Sequence, residues 1–326
     1  MITQKEIAEA CGVSVTTVSR VLSGKAKTIG VTAHTIERVK AEAMRVGYVP
    51  NAHAQNLKGV SAHTLGVVVS DFEDPFIGWI TGELQRLAAE RKYSLVLEGL
   101  SPNTGALVKH LVDGLILVGT HDSASWARPY LEQDIPCICI GHTPDAGTIQ
   151  GVTVDEASGF EQLIQHLLDL GHRRLGFIGG DNILHKQRRK HFEAFAGTYT
   201  RPEWIVESRE PPTRAGMEAV QRLIGQAANS MPSAIVAASD IRALGAIRGL
   251  VQAGLRVPEQ ISLTGFDDMP LAAYTNPPLT TIRQPIKAIC EQAFDWATGE
   301  AAGTELLCTL PAVLVERGST VSARSS

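Results

Sequence analysis

The stretch Ile7–Ser23, IAEACGVSVTTVSRVLS, limits the fold of this chain more than any other. Thr3 and Glu6 have the S/T-x-x-E spacing of a capping box, which predicts a helix starting near Gln4. Ile7, Ala10 and Cys11 then fall on one helical face. Gly12 ends the helix after about two turns, because it accepts positive φ without steric penalty. Ser14 is placed to cap a second helix by accepting from an unpaired backbone N–H. At about 100° per residue, Thr17, Val18, Val21 and Leu22 form its apolar face. Val15, Thr16, Ser19 and Arg20 point the other way. Their hydroxyls, methyls and guanidinium are groups that meet phosphate oxygens, thymine methyls and the acceptor edge of guanine. Two short helices around a Gly turn make a helix-turn-helix. The spacing by itself fits equally a small helical hairpin packed on a larger protein.

The sequence that follows narrows this choice. Thr32 begins another helix, with Ile36, Val39, Ala43 and Val46 spaced to close a three-helix core. Gly47 ends it before Tyr48-Val49-Pro50-Asn51, and Asn51 is placed to cap a short fourth helix, AHAQNLKG, ended by Gly59. The chain carries a net charge of −4, unevenly spread. Residues 1–60 hold eight Lys/Arg against four Asp/Glu, and the remainder holds 22 against 30. A basic end on an acidic body suits DNA binding by that end alone.

The runs ITQKEIAEACGVSVTTVSRVLSG and RVGYVPNAHAQNLKG, in that order, resemble the headpiece and hinge of the LacI/GalR family of transcriptional regulators. The resemblance implies that Val15 and Thr16 read major-groove bases. Thr3, Ser14, Thr17, Ser19 and Arg20 fall among its phosphate and base contacts, and Tyr48 is counted with them. Asn51, Ala54 and Leu57 match hinge-helix positions that enter the minor groove. There Leu57 would be the wedge that unstacks a central base step, costing a few kcal/mol that wider protein–DNA contact offsets.

Beyond a polar linker at Ser61-Ala62-His63 the pattern alternates β and α. A continuous apolar run predicts a buried parallel strand at Thr64–Ser70, and further strands are expected near Ser94–Glu98 and at Gly114–Gly119, Pro136–Gly141 and Gly151–Asp155. Helices are expected over Pro75–Lys92, near Gly105–Leu111 and ahead of Pro136. A second round has a helix over Glu156–Leu170 and strands at RRLGFIGG, Trp204–Glu207, Ala234–Ser239 and Ile261–Asp268. A last helix over about Pro285–Ala301 precedes a closing strand in LPAVLVERGS. Two such βα sets predict two doubly wound Rossmann-like subdomains, with a ligand cleft beyond the carboxyl ends of the strands.

This body resembles the family's periplasmic-binding-protein-like core in LGVVVSDFEDPF, LVDGLILVG, LLDLGHRRLGFIGG, ASDIRALGAIRGLVQAGLRVPEQISLTGFDDMP and PPLTTIRQP. The implied organisation is a headpiece and hinge over 1–60 and an effector-binding, dimerising core over 61–326. Subdomain one would take about 62–156 plus 284–305, and subdomain two about 157–283 plus 306–326. The chain would cross between them three times. Effector contacts are expected from Phe76, Ser239, Asp240 and Asp267, the last suited to ligand hydroxyls. In GGDNILHKQRRKHFEAF the family often holds the effector with an Arg four residues before the final Phe. That position is His191 here, so Arg189 and His191 are the candidates from this segment. Pro211 and Gly141 stand where some relatives carry an aromatic and an acid. NTGALVKHL and HFEAFAGTYTRPEW are shorter than usual, and ERGSTVSARSS has no heptad repeat to extend a dimer to a tetramer.

Five cysteines without metal spacing suggest a reducing compartment. Cys137 and Cys139 share one side of an apolar strand, as a buried pair or as a redox or metal pair. No signal peptide and no apolar run near twenty residues is found, so a cytoplasmic protein is expected. An enzyme on the Rossmann-like body is disfavoured, because G-x-G-x-x-G, P-loop and G-x-S-x-G are missing. A transport-type binding protein would need a signal peptide and no headpiece. The expected partners are double-stranded operator DNA, a sugar or related small molecule, and a second copy of the chain. No cofactor, metal, catalytic site or membrane is expected.

Overall fold

The computed structural model describes residues 2–22, 30–48, 62–100, 112–119, 135–141, 149–226, 230–300 and 305–323. The chain divides into two compact units, residues 1–62 and 63–326.

In the first unit, helix α1 spans Gln4–Ala10, α2 Val15–Leu22 and α3 Ala33–Arg45. The Thr3–Glu6 capping box is formed in both directions. Gly12, at φ +57°, makes the turn, and Ser14 Oγ accepts from Thr17 N at 3.1 Å to start α2. Ile7, Ala8, Cys11, Val18, Val21, Val39 and Ala43 form the buried core. Ala8, not Ala10, completes the α1 face, because the three buried positions centre near Cys11, which lies on the Ala8 side of Ile7, and leave Ala10 in solvent. Asn51, Ala54, Leu57 and the fourth helix lie outside the described residues.

The second unit is built on two parallel sheets. The first contains β1 Thr64–Val69, β2 Ser94–Gly99, β3 Gly114–Gly119, β4 Cys137–Gly141, β5 Gln150–Val154 and β11 Leu307–Leu310, in the order β11-β5-β4-β3-β1-β2. Helices α4 Pro75–Glu90 and α9 Ile286–Thr298 cover one face with Ile80, Leu84, Ile289 and Phe294. The second sheet contains β6 Leu175–Gly180, β7 Ile205–Ser208, β8 Ala234–Ala237 and β9 Ser262–Thr264, in the order β7-β6-β8-β9. Helices α5 Glu156–Asp169 and α6 Ile183–Ala196 pack with one face, and α7 Pro212–Gln226 and α8 Asp240–Gln252 with the other. A separate antiparallel pair joins β10 Thr281–Arg283 to β12 Val313–Val315.

The chain passes between the two sheet systems after Val154, between Arg283 and Ile286, and between Leu310 and Val313. The last crossing is later than the expected start of subdomain two at 306. Leu307–Leu310 pairs in parallel with β5 and so stays in the first sheet. It is an edge strand of alternating exposure, which the more apolar segment after it masks in the sequence. The strand expected over Ile261–Asp268 is only Ser262–Thr264, followed by a turn with Asp267 at φ +121° and Asp268 at φ +55°. Gly265 approaches Asp240 so closely that an added Cβ would sit 2.2 Å from its Oδ1. The helices expected near Gly105–Leu111 and ahead of Pro136 lie outside the described residues.

All five cysteines are free, and Cys137 and Cys139 are buried together on the other face of the first sheet. Burial pushes both thiols up to about 12, so they pack as small apolar groups rather than react.

Val18 is fully buried at the centre of the small helical unit. Val18→Ala removes about two methylene equivalents and leaves a void, costing about 2 kcal/mol. Hydrogen exchange on the full chain should show faster exchange across α1–α3 and unchanged protection of Val67–Val69.

Candidate functional site

Two surfaces gather the candidate residues. On α2, Val15, Thr16 and Arg20 are exposed and Ser19 is half-exposed, while Val18 and Val21 anchor the opposite face. Thr3 is exposed but spends its hydroxyl and amide on Glu6. The Ser14 and Thr17 hydroxyls bond each other at 2.8 Å, so their first role is to hold the start of the helix. Tyr48 is half-buried and packs on the three-helix core rather than standing clear of it.

The other surface is a cavity of about 820 Å³ in the second unit. Ser70, Gly119, Gly141 and Asp155 reach it from the carboxyl ends of β1, β3, β4 and β5. Asp181, Arg209, Ser239 and Asp267 reach it from those of β6, β7, β8 and β9. This is the place that parallel α/β sheets provide for a ligand, and the volume suits a small metabolite.

Phe76, His191, Ser239 and Asp267 line this cavity, as do Gly141 and Pro211. Phe76 lies in the first turn of α4, where Asp74 Oδ1 accepts from its N–H at 2.9 Å. Pro75 is preorganised for that first turn. His191 stacks on Phe160 with ring centroids 6.1 Å apart. Ser239 caps α8 by accepting from Arg242 N at 3.3 Å.

Arg189 and Asp240 are not brought to the cavity. Arg189 turns outward to Glu193 and Glu207, at 3.0 Å each. Asp240 is fully buried and faces the other way, accepting from Met269 N at 2.7 Å and Thr281 Oγ1 at 2.5 Å. Burial, reinforced by the nearby Asp267 charge, holds the Asp240 carboxyl well above its usual range. It organises the turn after β9 and is not available to a ligand.

The arginine missed by the sequence reading is Arg188. Phe192, not Phe195, is the fully buried phenylalanine of α6. The position four residues before it is Arg188, one helical turn along the same face. Its Nε and Nη2 donate to Glu156 Oε1 at 2.8 and 2.7 Å, and Nη1 donates to Ala238 O at 2.7 Å. The guanidinium lies 4.0 Å over the Phe266 ring, with Asp267 Oδ1 at 3.4 Å from Nη1. Burial opposes its charge, but Glu156 and Asp267 outweigh this and raise its pKa.

Asp267 also accepts from Gln284 Nε2 at 2.7 Å. Burial raises its carboxyl to about 7, against the pull of Arg188. Its positive φ costs on the order of 1–3 kcal/mol. The turn is held by Asp267 N donating to Ile282 O at 2.8 Å, and by Asp268 accepting from Arg283 and Arg317 at 2.6 Å each. Glu156 Oε2 is buried beside this cluster with no partner. A strained turn and an unsatisfied carboxylate oxygen at one cavity wall mark a place built to meet something polar. Among the described residues, no group of His, Cys, Asp and Glu is arranged to hold a metal ion.

Residues 3–51 match the bacterial regulatory proteins of the lacI family, and residues 164–320 match the periplasmic binding protein-like domain. The regulator GalS of Salmonella typhimurium is 32% identical over 317 residues, spanning 93% of this chain and 91% of that one. The chain belongs to the LacI family of DNA-binding transcriptional regulators. The repressor PurR of Haemophilus influenzae is 32% identical over 311 residues, spanning 90% of this chain and 89% of its own. A crystal structure of the lac repressor dimer bound to operator and the anti-inducer ONPF superposes with a TM-score of 0.81, at 25% identity, over 98% of this chain and 99% of that one. A cellobiose complex of the regulator CelR superposes at 0.70, with 28% identity, over 98% and 100%. These LacI-family relatives are regulators and not enzymes. No helix among the described residues is long and apolar enough to cross a membrane.

Because the folded Asp267 binds its proton more tightly than the unfolded chain does, its contribution favours the native state at low pH. That contribution is lost as pH rises from about 4 to about 7. Asp267→Asn keeps an acceptor for Gln284 but cannot titrate. The stability of wild type relative to this variant should fall over that window in denaturant titrations, and a constant difference would show that Asp267 is already ionised at pH 4.

Proposed function

We propose that this chain is an effector-controlled repressor that acts in the cytoplasm as a homodimer on a pseudo-palindromic operator. The observation that carries the effector part is the polar wall of the cavity, where Arg188, Glu156, Asp267 and Gln284 converge at the strand ends. The lac repressor relative is a dimer bound to operator and the anti-inducer ONPF, and the CelR relative is bound to cellobiose. By analogy, Asp267 and Gln284 take hydroxyls of a sugar or related metabolite, Arg188 holds Asp267 in place, and Phe76 covers a ring face. His191 and Ser239 complete the polar lining.

Val15, Thr16 and Arg20 enter the major groove, and Thr3, Ser14, Thr17, Ser19 and Tyr48 contribute to backbone positioning. Asn51, Ala54 and Leu57 are assigned to the minor groove at the operator centre. Thr16 and Val15 offer methyl contacts more than hydrogen bonds, so Arg20 carries the strongest directional contact on this face. A ligand that favours one arrangement of the two sheet systems shifts DNA affinity through the connection to the headpiece, whether as inducer or co-repressor.

Selection from randomised duplex DNA with the full chain tests this reading. Enrichment of two inverted half-sites about one helical turn apart is expected. Arg20→Ala should weaken binding to the selected site by about 1–3 kcal/mol and relax the preference at one position of each half-site. A single asymmetric site, or no enrichment, would overturn the dimeric operator.

A further inference from the structure

One cationic side chain of the cavity plays no part in the cluster around Asp267. Arg242 lies in the first turn of α8, is only 4% exposed and lines the cavity wall. Its Nε and Nη1 are buried without any hydrogen-bond partner. Asp181 and Asp74 favour its charge from a distance, but Asp181 is engaged by Arg209 at 2.6 Å and Asp74 caps α4. Burial outweighs both and lowers the guanidinium to about 10. The first turn of a helix is also the wrong end for a cation, since the backbone N–H dipoles there favour negative charge.

His185 sits beside it. An added Cβ on Gly180, at the carboxyl end of β6, would lie 2.5 Å from His185 Nδ1 and 2.6 Å from Arg242 Nη2. Both side chains therefore crowd over one glycine. His185 Nδ1 is buried and unpartnered, and burial together with Arg242 and Arg188 keeps the ring neutral. A neutral imidazole still donates from one nitrogen. In the protein without ligand, this corner keeps a guanidinium whose burial outweighs its nearby acids and an imidazole with an unsatisfied nitrogen, beside the Ser239-capped start of α8. Both side chains are satisfied by the same partner, an oxyanion.

We propose that the effector carries an anionic group, a carboxylate or a phosphate, that docks against Arg242 and His185 at the carboxyl ends of β6 and β8. This assignment rests on the reading of the cavity as the effector site. The hydroxyl-bearing body of the ligand faces Asp267 and Gln284, and the charged end faces Arg242. A neutral hydroxyl at Arg242 would accept one bond but leave the buried charge uncompensated, whereas a carboxylate or phosphate meets both needs. Sugar acids and sugar phosphates have this chemistry, and neutral disaccharides do not.

The first test needs no knowledge of the ligand. Melting of wild type and Arg242→Met is compared in chloride and in inorganic phosphate at equal pH and ionic strength. In chloride the variant should melt higher, because an unpaired buried charge has been replaced by an apolar chain of similar length. Phosphate should raise the melting temperature of wild type more than that of the variant. A variant that melts lower in chloride would assign Arg242 a structural role and overturn the proposal.

The second test titrates glucose, gluconate and glucose 6-phosphate, and equivalent neutral, acid and phosphate trios of other sugars, into the full chain. Within a trio that binds, an anionic member should bind at least tenfold more tightly than its neutral parent. That ratio should fall towards one in Arg242→Met. The acid and phosphate arms then separate the two oxyanions. Equal binding of neutral and anionic members, with sensitivity to Asp267→Asn, would overturn the anion assignment and leave the cavity reading intact. A ligand indifferent to both Asp267→Asn and Arg242→Met would overturn the cavity reading as well.

Discussion

The buried guanidinium of Arg188 is the interaction on which the rest of the core's site depends. It joins four separated pieces of chain: Glu156 at the start of α5, its own helix α6, the end of β8 at Ala238, and the Phe266–Asp267 turn. Such a cluster is not an efficient source of stability, because desolvating the charges offsets most of their attraction. Removing one member is nevertheless expensive, since it strands the others without water. What the cluster supplies is geometry. It holds Asp267 at a backbone conformation that few residues adopt, with its carboxylate at the edge of the cavity.

The position of that cluster would tie ligand sensing to the two-sheet architecture. Glu156 follows the first passage of the chain between the sheet systems, and Gln284 lies in the second. Groups proposed to meet the ligand are thus covalently next to the segments that connect the sheets. A ligand that alters the bonding of Asp267 or Gln284 acts on these connections directly. Arg242 and His185 belong wholly to the second sheet system, so an anionic contact there would anchor the ligand to one side. The Asp267–Gln284 side would then respond to how the two sides are arranged.

Much of this was legible in the sequence, and the failures have physical causes. The α2 faces sort by angle because Val18 and Val21 have only one core to enter. The strand ends that form the cavity follow from apolar runs of four to six residues ended by Gly, Ser or Asp. Arg188 was overlooked because Phe192 and Phe195 are three apart on one helix, and sequence alone does not say which is buried. The stripe Arg188, Phe192, Ala196, spaced by four, was the available signal. Asp240 was misplaced because a strand-end acid and a helix-start acid are the same residue, and only the packing of Gly265 decides which way it turns. Arg242 gave no signal at all. It sits in an amphipathic helix where a charge is read as solvent-facing, and its burial emerges only from the packing over Gly180. Strand β11 was missed because it is a short edge strand of only four residues, followed by the more apolar segment Ala312–Val315.

The central claim is that the cavity and the DNA-reading helix are energetically coupled. Linkage makes the coupling reciprocal, so a ligand that changes operator affinity by some factor must have its own affinity changed by operator through the same factor. The most direct measurement is a closed cycle on the full chain: operator affinity without and with saturating ligand, and ligand affinity without and with saturating operator. The account predicts two equal factors, each well away from one, and both reduced towards one in Asp267→Asn. Operator affinity that is the same with and without a ligand bound in the cavity would contradict it.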